Sequence, residues 1–475
     1  MTTIQSSIFP DQIFRAYDIR GKVHLLTSQV VKAVAYGLVE QFKNENQYEI
    51  VLGYDARLTS PEYAKIIQDV FESEQMNVIQ IGCCSSPMMY YLARQTGGNG
   101  VMLTASHNPK SDNGLKWMRK GLPPSPEAIQ QVAKTAYLYY KNSQQIDEQC
   151  VKHKINQTFC TQYEKALLSD INLKRSFKVV LDGMNGSAGY IAEAVLTQLG
   201  CQVIALRCNI DGHFPDHAPD PSKEQHLKQL KQTVLAEKAD IGIALDGDGD
   251  RLVLVDETSK IISADRILSL CAEMCLQKQP SSEIVYDVKC STMVRNTIRD
   301  LGGIPKMIRT GSTFLRKYLA RSGGKAIFGG EYAGHYVFND GRGYGYDDGL
   351  YAALRVLEYL GLSHYQTVSA LFEKYPERCS TEDTYISTYT VKPQLVLDDV
   401  ELKSHQYNAQ LSKIDGIRLD FEDGFGIIRA SNTGEYFTVR FDADNPERLN
   451  DIRGAFASML KDDYPQISQD ILDAQ

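Results

Sequence analysis

The chain has 475 residues, 43% of them hydrophobic and 23% charged, with a formal net charge of −8. That length implies roughly three or four domains, and the composition is that of a soluble globular protein. The acidic balance argues against nucleic acid or an anionic membrane as a partner. It leaves room for a small anionic substrate held by local arginines and helix N-termini. No apolar run approaches the ~18 residues that span a bilayer, and Met1-Thr2-Thr3-Ile4-Gln5 lacks the basic-then-apolar pattern of a leader. The ten cysteines include no CxxC pair, and Cys83-Cys84 and Cys271/Cys275 read as buried thiols in apolar surroundings. The expectation is a cytoplasmic, reduced protein.

In chain order, one pattern occurs three times: an apolar strand, an Asp, a small polar turn, then a helix. It begins at Ile50–Asp55 with a helix from about Pro61, at Lys178–Gly183 with a helix over Ala188–Leu199, and at Glu283–Asp287 with a helix from about Thr292. Each unit adds a short strand (Val78–Ile81, Gln202–Ala205, Lys306–Ile308) and closes on a strand that runs into an unusual loop. Strand 101–104 delivers Ser106-His107-Asn108-Pro109, Ile241–Leu245 delivers Asp246-Gly247-Asp248-Gly249-Asp250-Arg251, and Ala326–Phe328 delivers Gly329–His335. Strands alternating with helices predict α/β layers, and loops beyond strand ends are where such sheets place function. From about residue 375 the pattern changes. Glu382–Tyr389 alternates like an antiparallel strand, and Gly426–Arg429 and Tyr436–Phe441 flank a turn-rich loop. The predicted architecture is three similar α/β domains over 1–155, 156–257 and 258–373, followed by an α+β domain over 374–475.

Five stretches carry candidate chemistry. Ser106, in Val101–Pro109, reads as an exposed serine in a tight loop, suited to a nucleophile or a phosphate carrier. Taken alone, an ordinary turn with Ser and Asn capping backbone groups is the better reading. Asp246, Asp248 and Asp250 alternate with glycines, so three carboxylates can converge on one hard cation such as Mg²⁺. The spacing also fits the start of a calcium EF-hand loop, but Arg251 stands where that loop needs Gly, and the flanks read as strands. An aspartyl nucleophile is the other rival. Arg429-Ala430-Ser431-Asn432-Thr433, with Arg440 on the returning strand, suits a phosphate dianion, although a hairpin with incidental arginines fits as well. Glu331 and His335, on one glycine-bounded loop, suit sugar hydroxyls or proton transfer. Tyr17 and Arg20 stand three apart near the start.

Taken together, Phe14–Gly21, Thr104–Pro109, Asp246–Arg251, Gly330–His335 and Arg429–Thr433 resemble the motifs of the α-D-phosphohexomutase family, in the family's order and across essentially the whole chain. The resemblance implies four domains around a central cleft, the last TATA-binding-protein-like. It implies that Ser106 carries a phosphoryl group and that Mg²⁺ is held by Ser106 with Asp246, Asp248 and Asp250. The implied reaction interconverts hexose 6-phosphate and hexose 1-phosphate of mannose or glucose through a 1,6-bisphosphate, with glucose or mannose 1,6-bisphosphate as activator. Ser106, His107, Arg20 and Lys116 match catalytic positions. Tyr17, Arg251, Lys289, Thr310, Gly311, Ser312, Glu331, Ala333, His335, Arg429, Ser431, Asn432, Thr433 and Arg440 match substrate-contacting ones. Ser312 stands where many relatives have His, and Ala333 replaces a common Ser; both changes bear on sugar preference. Phosphoglucosamine mutase, or a silent sugar-phosphate or divalent-cation binder, is the alternative. The expected partners are small hexose phosphates, with no nucleic acid and no membrane, for a monomer or weak homo-oligomer.

Overall fold

Short apolar runs form the parallel heart of each of the first three sheets. The computed structural model describes residues 9–142, 155–431 and 434–474. The first sheet comprises β1 (Ile19–Lys22), β2 (Glu49–Tyr54), β3 (Asn77–Cys83), β4 (Gly100–Leu103) and β5 (Asp112–Met118), in the order β1-β5-β4-β2-β3. β2 runs parallel to β3 and β4, whereas β5 is antiparallel to β4 and β1. Helices Ser28–Lys43 and Pro126–Asn142 cover one face. Val31, Val34, Leu38 and Phe42 meet Ile129, Val132 and Ala136 there, at the i, i+3, i+4 spacing of an apolar stripe. The two helices approach closely because Gly37 has no side chain; a Cβ would lie 2.8 Å from Val132 O.

The second sheet repeats the plan with β6 (Lys178–Asp182), β7 (Gln202–Leu206), β8 (Ile241–Leu245), β9 (Leu252–Asp256) and β10 (Ile261–Ile262), in the order β10-β9-β8-β6-β7. Again the first strand is parallel to the two beside it, and the next is antiparallel. In the third, β11 (Glu283–Asp287) lies between β12 (Ile304–Ile308) and β13 (Ala326–Gly330), parallel to both, and β14 (Tyr336–Phe338) follows in sequence. The helices expected after the first strands are present at Ser60–Ser73, Gly189–Gln198 and Thr292–Asp300. β4, β8 and β13 are topological equivalents, and each ends at one of the three unusual loops. The repeat seen in the sequence is therefore a repeat of topology.

The fourth domain is antiparallel. β15 (Cys379–Ser380), β16 (Thr384–Ser387), β17 (Gln410–Ser412), β18 (Ile417–Asp420), β19 (Gly424–Ala430) and β20 (Tyr436–Ala443) form one six-stranded sheet. β19 and β20 are its centre, with Arg429 opposite Thr438 and Arg440 opposite Ile427. Helices Pro393–Ser404, Pro446–Leu460 and Pro465–Leu472 bury Val396, Val400, Ile452, Phe456 and Ile467 in the same core as Ile428, Phe437, Val439 and Phe441.

The chain forms two compact units, one of 1–262 with 334–337 and 342–371, the other of 263–333 with 338–341 and 372–475. It passes between them at 262/263, 333/334, 337/338, 341/342 and 371/372. No described helix is long and apolar enough to cross a membrane.

Within the first unit, Asp348 caps helix Gly349–Leu362 by accepting from Tyr351 N at 2.9 Å, and Tyr163 Oη donates to its other oxygen at 2.9 Å. Burial pushes its carboxyl up to about 7, against the hydrogen bonds it accepts. The unfolded chain releases this proton near the ordinary value of about 4. The contribution of the protonated group is therefore complete below that pH and is lost as pH rises toward 7. Asp348→Asn keeps a competent N-cap and removes the titration. Its Tm relative to the parent should rise between pH 4.5 and 7.5, and a difference that stays flat would contradict this assignment.

Candidate active site

β4 stops at Leu103 because the next residues spend their polar groups on a corner rather than on the ladder. Thr104 Oγ1 accepts from Ser106 N at 2.8 Å, and Asn108 N donates to Ala105 O at 3.0 Å. Ser106 sits at φ +51°, a left-handed conformation that costs a non-glycine residue about 1–3 kcal/mol. The serine expected to be exposed is in fact 2% exposed. The reason is its partners: its Oγ donates to Asp246 Oδ2 at 2.7 Å, and its carbonyl accepts from Arg57 at 2.7 Å. His107 Nδ1 lies 3.3 Å from the same Oγ. Burial, then the charges of Arg251 and Arg20, holds the His107 ring well below the usual histidine range.

The acidic loop leaves β8 directly beneath this corner. Gly247 passes so close that a Cβ would lie 2.5 Å from Ser106 O, and Gly249 adopts φ +76°. Asp246, Asp248 and Asp250 are 0%, 0% and 1% exposed, and one oxygen of each falls within 4.8 Å of the others. Their surroundings supply positive charge. Lys116 Nζ lies 2.6 Å from Asp248 and 2.5 Å from Asp250, Ser86 Oγ donates to Asp248 at 2.5 Å, and Arg251 N donates to Asp246 at 3.1 Å. Burial, followed by the charges of Asp250 and Asp248, pushes Asp246 well above the usual carboxylate range. Burial also acts to raise Asp248, but the Lys116 ammonium outweighs it and holds that carboxyl low. For Lys116, burial is outweighed in turn by Asp248 and Asp250, which raise it well above its ordinary value.

These residues fit a divalent cation. Asp248 Oδ1 and Asp250 Oδ1 are buried and make no hydrogen bond among the described residues, and an all-oxygen donor set with excess negative charge is that of Mg²⁺.

His335 completes the site of this unit. Its Nδ1 lies 3.0 Å from Asp347 and 3.6 Å from Asp250, and Arg251 Nε donates to its Nε2 at 3.1 Å. Burial opposes protonation, yet the two carboxylates push the ring up to about 9, whereas the Arg251 contact needs an unprotonated Nε2. Arg20 pairs with Asp18 at 2.6 Å and donates to Asn108 Oδ1 at 3.2 Å, while Tyr17 is 44% exposed.

The second unit gathers most of the remaining residues. Lys289 pairs with Asp383 at 2.6 Å, and Arg429 pairs with Asp415 at 2.8 Å. Asp415 also accepts from Thr310 N at 3.2 Å, while Thr310 Oγ1 donates to Asp287 at 2.8 Å. Gly311, at φ +131°, donates its N–H to Glu331 at 2.5 Å and precedes the helix that starts at Ser312. Arg440 is 1% exposed, lies over Tyr332 at 3.7 Å and donates to Lys289 O. Ala333 is half-buried, and Ser431 Oγ accepts from Gly434 N at 3.1 Å. Asn432 and Thr433 lie outside the described residues.

Sequence reasoning missed the carboxylates that hold these cations: Asp18, Asp347, Asp383 and Asp415. It also missed Ser86 and Arg57. Only Asp347-Asp348 before a helix carried a local signal, as a capping pattern.

Residues 11–141, 157–259 and 263–379 match, in turn, the α/β/α domains I, II and III of phosphoglucomutase/phosphomannomutase. The phosphomannomutase/phosphoglucomutase of Pseudomonas syringae pv. tomato is 36% identical over 463 residues, 97% of each chain. A phosphoglucomutase of Neisseria meningitidis serogroup A is 34% identical over 94% of this chain and 96% of its own. The crystal structure of a phosphoglucomutase/phosphomannomutase family protein from Burkholderia thailandensis superposes with a TM-score of 0.87 at 32% identity, covering 96% of this chain and 98% of that one. Fold and relatives together define a multidomain α/β phosphotransferase. The chain belongs to the phosphoglucomutase/phosphomannomutase family, the α-D-phosphohexomutases.

Mg²⁺ bound only by the folded triad should stabilise the protein by about 2.7 kcal/mol at a hundredfold excess over Kd. Thermal melts with and without Mg²⁺ should therefore show a rise in Tm that Asp248→Asn abolishes. An unchanged Tm for the parent would count against the site.

Proposed function

We propose that this chain interconverts hexose 6-phosphate and hexose 1-phosphate, with Ser106 as the phosphoryl carrier and a hexose 1,6-bisphosphate as intermediate. The observation that carries the reading is Ser106 itself: a strained serine whose Oγ touches a buried carboxylate triad at 2.7 Å. The relatives named phosphomannomutase/phosphoglucomutase and phosphoglucomutase support hexose phosphates as the substrate class, with mannose and glucose both accepted. The same reading makes Mg²⁺ the cofactor, a hexose 1,6-bisphosphate the activator and the cytoplasm the compartment.

A serine hydroxyl is a weak nucleophile at neutral pH, whereas a phosphoserine is a donor in need only of charge neutralisation and alignment. Asp246, Asp248 and Asp250, with the phosphate on Ser106, would hold Mg²⁺, which neutralises charge on phosphoryl oxygens. The bond from phosphorus to Ser106 Oγ breaks as a bond from phosphorus to a sugar hydroxyl oxygen forms, and the proton lost by that hydroxyl ends, by way of a base, on the freed Ser106 Oγ. Lys116, kept charged by Asp248 and Asp250, steadies the triad and the transferred group. His107, kept neutral, stands 3.3 Å from Oγ, where it can take or return the proton of the serine. In the second unit, Arg429 and Ser431 would grip the phosphate that does not react, together with Asn432 and Thr433. Lys289, Thr310, Gly311 and Glu331 would meet the sugar. The intermediate must then present its other phosphate to the same serine, so one clamp has to serve both orientations.

Ser106→Ala should lower turnover by at least ~10³-fold, as loss of a covalent carrier does, and should remove one phosphate from the intact mass. Full activity in this variant would overturn the reading. Arg429→Gln should raise KM for glucose 1-phosphate and mannose 1-phosphate by about tenfold or more, equivalent to a lost charge-assisted bond of about 1.5–3 kcal/mol. A coupled assay primed with glucose 1,6-bisphosphate and Mg²⁺ measures both effects.

A further inference from the structure

Arg57 belongs to none of the motifs above. It stands three residues past the end of β2, is 2% exposed, and makes its hydrogen bonds to Asp55 and to the stretch Ser106–Asp112. Its Nε donates to Asp55 Oδ2 at 3.0 Å. Its Nη1 donates to Pro109 O at 2.7 Å and Asp112 O at 3.0 Å, and its Nη2 to Ser106 O at 2.7 Å and Asn108 O at 2.6 Å. A guanidinium has five N–H donors in a rigid plane; here all five are used, and four of them end on carbonyls of the loop that carries Ser106. Asp55 is itself fixed, accepting from Arg57 N at 3.0 Å and Ser60 Oγ at 2.8 Å. The pair is thus neutral, buried and anchored to the start of helix Ser60–Ser73. From the second α/β domain, the Phe214 ring lies 5.5 Å from the guanidinium, and Gly212 comes so close that a Cβ would lie 2.2 Å from Ala56 O.

One of the four carbonyls is that of Ser106, the residue held at φ +51°. Left to itself, a serine relaxes out of the left-handed region, and that rotation carries Oγ away from Asp246. The fork grips the peptide plane on the far side of the strained residue and prevents it. We propose that Arg57 is a positioning residue: it holds the Ser106 loop in the strained geometry that keeps Oγ at the carboxylate triad. The inference rests on the reading of Ser106 as the phosphoryl carrier. Lysine cannot substitute, because an ammonium offers three donors around one point and cannot span four carbonyls in a plane.

The test is steady-state kinetics on Arg57→Lys and Arg57→Ala, primed with glucose 1,6-bisphosphate and Mg²⁺. A displacement of about 1 Å at the reacting atom costs on the order of 10²-fold, so kcat should fall by about that factor while KM moves by less than about threefold. The phosphoserine ³¹P resonance should shift in both variants, and added guanidinium ion should restore part of kcat to Arg57→Ala but not to Arg57→Lys. Asp55→Asn with Arg57→Met removes both buried charges together and carries the same expectation if the single variants do not fold. Retained kcat in any folded variant, or a KM that rises by the factor by which kcat falls, overturns the proposal. Failure of the double variant to fold also overturns it, since Arg57 would then serve folding rather than position. If Ser106→Ala keeps its activity, the carrier assignment fails first; if Ser106→Ala is dead and the Arg57 variants are not, only this inference falls.

Discussion

Mutual repulsion among three buried carboxylates is the constraint that the first unit is built to contain. Asp246, Asp248 and Asp250 share a space under 4.8 Å across with almost no access to water, where each uncompensated ion costs several kcal/mol. The compensation comes from many elements: Lys116 on β5, Ser86 at a helix start, the Arg251 amide and the Ser106 hydroxyl. Lys116 is opposite Met102 in the ladder, so the strand beside β4 supplies the countercharge for a loop that another sheet delivers. Among the described residues, Asp248 Oδ1 and Asp250 Oδ1 stay without a hydrogen bond, so part of the triad's charge is left unmet by the protein.

In the second unit the relation is reversed. There the cations are each held by an acid: Lys289 by Asp383, Arg429 by Asp415, and Arg440 near Asp265 at 3.9 Å. Long side chains lose rotamer freedom when they bind. Carboxylates that already pair with them fix these side chains before any ligand arrives. Asp415 also takes the Thr310 amide, so a single carboxylate joins the loop before helix Ser312–Arg321 to the strand that bears Arg429.

Much of this was legible in the sequence. Apolar runs ending in Asp or Gly located β2, β6, β8, β11 and β13, and one ending in a small, polar, Pro-closed loop located β4, because a strand buried on both faces needs an unbroken run. The alternation of Asp with Gly revealed the triad, since close backbone approach and convergent carboxylates have few other uses. Partners were not legible. Arg57 and Ser106 lie 49 positions apart, brought together by the order of strands in the first sheet, and Lys116 and Asp250 lie 134 apart, brought together by the packing of two sheets. Burial of Ser106 was missed for the same reason: the local sequence is polar and Pro-closed, as an exposed turn would be, and what covers it comes from elsewhere in the chain.

The repeated passage of the backbone between the two units has a consequence for how the protein can be taken apart. Because short stretches of 334–337 and 338–341 alternate between them, no single cut yields either unit whole. A fragment ending near 262 lacks His335 and Asp347, and one beginning there carries segments that belong with the part it has lost. Three sheets share a topology, yet the interleaving makes the parts inseparable: repeated in architecture and indivisible by connectivity.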